Sequence, residues 1–104
     1  MQRRLSKEQS RQRYAEGRKL WNEFDPIGVV ADGDGVDDEY DGYVGPTLRL
    51  CETGKGSAEI EEYAKFVVYD RMGISHHPLL DAEIQKFSLR FCEWYRQSWP
   101  DTVV

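Results

Sequence analysis

Ser57-Ala58-Glu59-Ile60-Glu61-Glu62-Tyr63-Ala64-Lys65-Phe66-Val67-Val68-Tyr69-Asp70-Arg71-Met72-Gly73-Ile74 decides the fold class. Its apolar residues Ile60, Ala64, Val67, Val68 and Met72 recur by three and four, the spacing of one helix face. Ser57 suits an N-cap, and Glu59, Glu61 and Glu62 put negative charge where the helix dipole is positive. Arg71 lies in the last turn. Gly73 followed by Ile74 fits a left-handed C-cap with an apolar contact.

Outward from this helix the same period returns. Pro78 at a first helical position opens a segment in which Leu80, Ile84, Phe87, Phe91, Trp94 and Tyr95 share a stripe, ending near Trp99-Pro100. Upstream, Asp37 fits an N-cap for a helix carrying Tyr40, Tyr43, Val44, Thr47, Leu48, Leu50 and Cys51, in which Pro46 removes the amide that would bond the Gly42 carbonyl. Gly54-Lys55-Gly56 ends it. The first helix runs from Ser6 to Phe24, with Ser6 and Gln9 in capping-box spacing and Tyr14, Gly17, Leu20, Trp21 and Phe24 as its apolar stripe. Continued backwards, that stripe meets Arg11, Lys7 and Arg4, so only the second half is expected to pack. Asp25-Pro26 ends this helix, because proline disfavours helical geometry in the residue before it. No run alternates with a period of two. The expected fold is therefore all-α, a single-domain up-and-down bundle of about four helices, with an acidic, glycine-rich loop at residues 31–39 between helices 1 and 2.

The 104 residues suit one domain. Residues 1–19 hold seven Lys and Arg against Glu8 and Glu16, whereas residues 20–104 hold seven basic and seventeen acidic side chains, giving a net charge of −5 overall. The expected organisation is a basic extension over residues 1–12, partly helical or mobile, followed by a helical domain over 13–104. A basic arm can bind nucleic acid, but the acidic body repels phosphate and the first eleven residues carry no aromatic ring to stack on bases. Nucleic acid is thus disfavoured as a partner. Neither an apolar run of membrane-spanning length nor a secretory signal is visible, which predicts a cytoplasmic protein without a membrane partner. Cys51 and Cys92 are too few for a disulfide scaffold or a four-cysteine zinc site, and both lie on apolar faces.

Candidate chemistry concentrates around residue 37. Asp32, Asp34, Asp37, Asp38 and Glu39 invite a calcium reading, but counting from Asp32 puts Val36 at position five and Tyr43 where an EF-hand needs its bidentate glutamate. Adjacent His76 and His77 have no second pair at ligand spacing. Gly54-Lys55-Gly56-Ser57 lacks the full spacing of a phosphate loop and a preceding strand. No metal ligand set, cofactor or catalytic residue is assigned. Asp37, Asp38, Glu39, Tyr40, Asp41 and Tyr43 form the candidate partner-binding surface, since carboxylates steer basic partners and tyrosine offers rigid amphipathic contact area. At helical spacing the two tyrosines can equally face the core. The expected function is a non-catalytic protein-binding module, neutralising a basic, toxin-like partner; the alternative is a small enzyme or metal-dependent regulator using the acidic loop. Oligomeric state is not legible.

Three motifs carry a resemblance: Trp21-Asn22-Glu23-Phe24-Asp25-Pro26-Ile27-Gly28-Val29, then Asp38-Glu39-Tyr40-Asp41-Gly42-Tyr43-Val44-Gly45-Pro46-Thr47-Leu48-Arg49-Leu50, then Ile60-Glu61-Glu62-Tyr63 to Met72-Gly73-Ile74. In order and spacing, over about residues 20–74, this resembles the YugE-like family of small bacterial helical proteins of unassigned function. Phe24 stands where that family usually has tryptophan, and Cys51 and Ile74 stand where it has leucine, each keeping an apolar role. The resemblance implies a helical fold and a motif turn at Asp25, Pro26 and Gly28. It brings no established catalytic residue.

Overall fold

The computed structural model describes residues 3–26, 40–100 and 102–103. Four α-helices dominate it: α1 (Lys7–Phe24), α2 (Asp41–Glu52), α3 (Ser57–Lys65) and α4 (Pro78–Ser98). Each packs on its neighbour in the chain, and α1 also packs on α4, which closes the four into one all-α bundle. The expected acidic loop and its N-cap at Asp37 lie outside the described residues. None of the described helices is long and apolar enough to cross a membrane.

Local chemistry sets the helix ends. The Ser6 hydroxyl accepts from the Gln9 amide at 3.1 Å while the Gln9 side chain accepts from the Ser6 amide at 3.0 Å, the reciprocal capping box. At the start of α3 the cap is Gly56 rather than Ser57, because Glu59 reaches back to the Gly56 amide at 3.0 Å and thereby replaces a side-chain cap. His77 caps α4 through Nδ1, which accepts from the Leu79 amide at 3.0 Å, with Pro78 in the first turn. Gly54 and Gly73 end their helices at φ of 79° and 70°, a region that penalises any residue with a Cβ.

The third helix departs from the expected course. It is α-helical only to Lys65; Phe66–Arg71 form a π-helical segment, with the Met72 amide donating to the Val67 carbonyl at 2.8 Å. The wider turn keeps Val67 and Val68 both fully buried.

Trp21, Tyr40, Val44, Ile60, Ile84 and Phe91 are wholly enclosed at the centre of the core. The Trp21 ring lies 4.7 Å from Phe87, which stacks on Phe24 at 4.6 Å. Gly17 lets α1 pack closely on α2 and α4: a Cβ there would stand 3.2 Å from Val44 and 3.5 Å from Phe91. Two polar side chains in this core, Thr47 and Ser88, bond carbonyls on their own helices at 2.7 and 2.8 Å, which removes the cost of burying their hydroxyls.

The basic N-terminal segment is more firmly attached than its charge implies. The expected boundary at residue 12 falls inside α1, Leu5 is only 8% exposed, and β1 (Arg3–Arg4) pairs in parallel with β2 (Thr102–Val103). Two-residue strands are too short to show an alternating pattern in sequence. Removing residues 1–6 deletes a buried leucine, worth about 1.5–3 kcal/mol, and a serine cap worth about 1 kcal/mol. The truncated chain is expected to melt well below the intact one in a thermal scan, and an unchanged midpoint would show that Leu5 contributes nothing.

Glu16 ties α1 to the C-terminal end of α4. Its Oε1 accepts from the indole N–H groups of Trp94 and Trp99, both at 3.0 Å, and Oε2 accepts from Gln12 at 3.0 Å. Partial burial pushes this carboxyl up, but the hydrogen bonds from Trp99, Gln12 and Trp94 outweigh it and hold the pKa below the usual 4.5. A folded-state pKa below the unfolded value gives stability that is present above pH about 4.5 and lost as pH falls through the lower, folded value. Glu16→Gln is therefore expected to flatten the acid limb of a urea-midpoint profile. A limb as steep as in the parent protein would assign acid sensitivity to other carboxylates.

Candidate functional site

The residues singled out around position 40 form a structural junction. Asp25 closes α1 in the left-handed conformation, at φ 44° and ψ 58°, with its amide donating to the Trp21 carbonyl at 2.9 Å. Its carboxylate accepts from the Tyr40 hydroxyl at 2.6 Å. Tyr40 is 0% exposed and stacks on Trp21 with ring centres 6.1 Å apart. Its placement in the candidate partner surface is corrected: the ring is core, because the start of α2 is drawn inward by Trp21 on one side and by the Asp25 carboxylate on its hydroxyl. Tyr43 is partly buried, with its ring 5.6 Å from Trp21. Thr47 extends the junction by accepting from the Trp21 indole N–H at 3.1 Å.

Asp41 is likewise engaged within the molecule. Arg18 grips its carboxylate with two bonds of 2.8 and 2.7 Å, and the Tyr14 hydroxyl donates to its backbone carbonyl at 2.8 Å. Tyr14 resists ionisation, first because of burial and then because of the Asp41 charge. Of the remaining predicted residues, Pro26 is partly buried, while Gly28, Asp37, Asp38 and Glu39 lie outside the described residues. The structure thus brings Asp25, Tyr40, Asp41 and Tyr43 together, but as the joint between α1 and α2.

An outward-facing combination that sequence reading missed lies on α3 and the π-helical segment. Phe66 is 48% exposed. Glu59, Glu62 and Asp70, at minus seven, minus four and plus four from it, are exposed as well, and this spacing places all four on one helical face. That face is turned away from the stripe formed by Ile60, Ala64, Val67 and Val68. The available signal was that Phe66 stands out of phase with this stripe.

The turn into α4 carries its own polar cluster. Tyr69 donates to Asp81 Oδ1 at 2.5 Å and His76 Nε2 lies 2.9 Å from Asp81 Oδ2. The hydrogen bond from Tyr69 is the main reason the Asp81 carboxyl is held below its ordinary range.

A groove of about 210 Å³ opens between the α2–α3 turn and α4, lined by Cys51, Lys55, Cys92, Tyr95, Arg96 and Pro100 among others. Behind it Arg13, 2% exposed, donates to the Tyr95 hydroxyl at 2.8 Å and to Glu52 at 2.5 Å. Arg13 Nε is buried without a hydrogen-bond partner. Burial pushes the Cys51 thiol up to about 12, with Cys92 and Glu52 acting in the same direction and the Arg13 guanidinium against it. Cys51 and Cys92 are both free thiols. Among the described residues, no three His, Cys, Asp or Glu side chains are grouped so as to hold a metal ion. No family model, curated protein or solved structure matches the chain.

Proposed function

We propose that this chain is a non-catalytic protein-binding module for a basic partner, with the outer face of α3 as its contact surface. The observation that carries this reading is the half-exposed Phe66 ring set among the exposed carboxylates of Glu59, Glu62 and Asp70. A large apolar side chain held in solvent is an anchor available for burial, and the carboxylates around it select a partner of opposite charge. The acidic composition of residues 20–104 acts in the same sense by steering encounter. Kinship with the YugE-like family is part of the proposal; it rests on the order and spacing of the three motifs over about residues 20–74.

The test compares partner retention by the full-length protein and by Phe66→Ala. Loss of an anchor worth about 1.4 kcal/mol or more weakens binding about tenfold, while the helical circular dichroism signal stays unchanged because half the ring is already in water. Glu62→Gln combined with Asp70→Asn is expected to slow association and reduce its salt dependence, with little change in dissociation. Retention that is indifferent to Phe66→Ala would remove α3 as the interface.

A further inference from the structure

Cys51 comes from α2 and Cys92 from α4, yet both residues line one groove beside the α2–α3 turn. Neither is in a disulfide. Cys51 is partly accessible and Cys92 is 9% exposed. Among the described residues, carboxylates and imidazoles do not complete a larger ligand set here, which argues against a tetrahedral ion such as zinc and against hard, oxygen-seeking cations. Soft thiolate donors suit Cu(I), zinc and iron–sulfur clusters, and with only two cysteines in the groove the four-ligand sets of the last two are not met. Charge points the same way, because a Cu(I) ion held by two thiolates carries one net negative charge. The groove supplies Lys55 and Arg96 at its rim, with no ion-pair partner among the described residues, and the Arg13 guanidinium in the layer behind, where it hydrogen-bonds the lining residue Tyr95.

We infer that Cys51 and Cys92 form a two-thiolate site for a soft monovalent cation of the Cu(I) class, in the groove rimmed by Lys55 and Arg96. In loading from a chelate, two copper–sulfur bonds form as the bonds from copper to the chelator break. Each thiol releases its proton to the buffer, and no electron is transferred. This site is separate from the α3 face and does not depend on it.

The experiment titrates the reduced full-length protein, without oxygen, against Cu(I) bound to bicinchoninate, whose colour reports the copper still on the chelator. One Cu(I) per chain is expected to be withdrawn. Cys51→Ser and Cys92→Ser should each weaken this by about a hundredfold or more, at least the effect of losing the outer-shell partners of a metal ligand. A measurement on the unaltered chain guards against a misfolded Cys92 variant: one equivalent of Cu(I) should protect both cysteines from iodoacetamide, counted by mass spectrometry. The inference is overturned if the chelator keeps its copper, if either serine variant withdraws copper as well as the parent, or if only one cysteine is protected.

Discussion

Arg13→Ala is expected to destabilise the bundle by about 3 kcal/mol or more, the cost of removing one partner from a buried ion pair. For a domain of this length, that corresponds to a midpoint at least about 12 °C lower in a thermal melt. The size follows from what is left behind. Without the guanidinium, the Tyr95 hydroxyl loses its 2.8 Å donor and Glu52 loses its 2.5 Å contact, while the space occupied by the arginine stem, 2% exposed, is emptied. Glu52 retains some access to water at 17% side-chain exposure, which places the estimate at the lower end of the range for buried pairs. A double substitution, Arg13→Met with Glu52→Leu, should recover much of the loss, since an apolar pair leaves no buried charge. Urea unfolding of both variants measures this directly; a loss under about 1 kcal/mol for Arg13→Ala would put the pair in the class of solvent-screened surface bridges.

Tyr40→Ala is expected to cost about 3–5 kcal/mol, as for other large aromatic side chains removed from a core. Tyr40→Phe keeps the ring and removes the hydroxyl that donates to the Asp25 carboxylate, a loss of about 1.5–3 kcal/mol for that bond. The graded pair separates two accounts of one residue. An anchor for a partner would leave the isolated protein as stable after the change as before, whereas a core ring stacked on Trp21 unfolds the junction when it is deleted. Equal melting midpoints for the parent and Tyr40→Ala would restore the partner account.

The two residues also show what the sequence makes readable. Apolar period alone located all four helices, because Ile60, Val67, Ile84 and Phe91 must share a side in any helical arrangement and do so in the fully buried core. The Ser6 and Gln9 cap and the Gly73 stop were equally visible, since each is a contact within a few residues. Arg13 was not. It stands four residues before Gly17 on the buried stripe, but a charged residue there reads as solvated unless its partner is known, and Glu52 is 39 positions away. Tyr40 failed for a related reason: helical spacing fits a core ring and a surface ring alike, and the Asp25 acceptor that decides between them is supplied only by the fold. The π-helical segment left no mark on the pattern, because the wide turn keeps Val67 and Val68 inward just as an α-turn would.

The bond between Asp25 and Tyr40 fixes the span between those two residues whatever chain connects them. The chain that leaves α1 at Asp25 has to return at Tyr40 to within 2.6 Å of the Asp25 carboxylate, so the connection is a loop with a fixed mouth. In relatives, positions 25 and 40 should accordingly vary together, since either side chain without the other loses this bond.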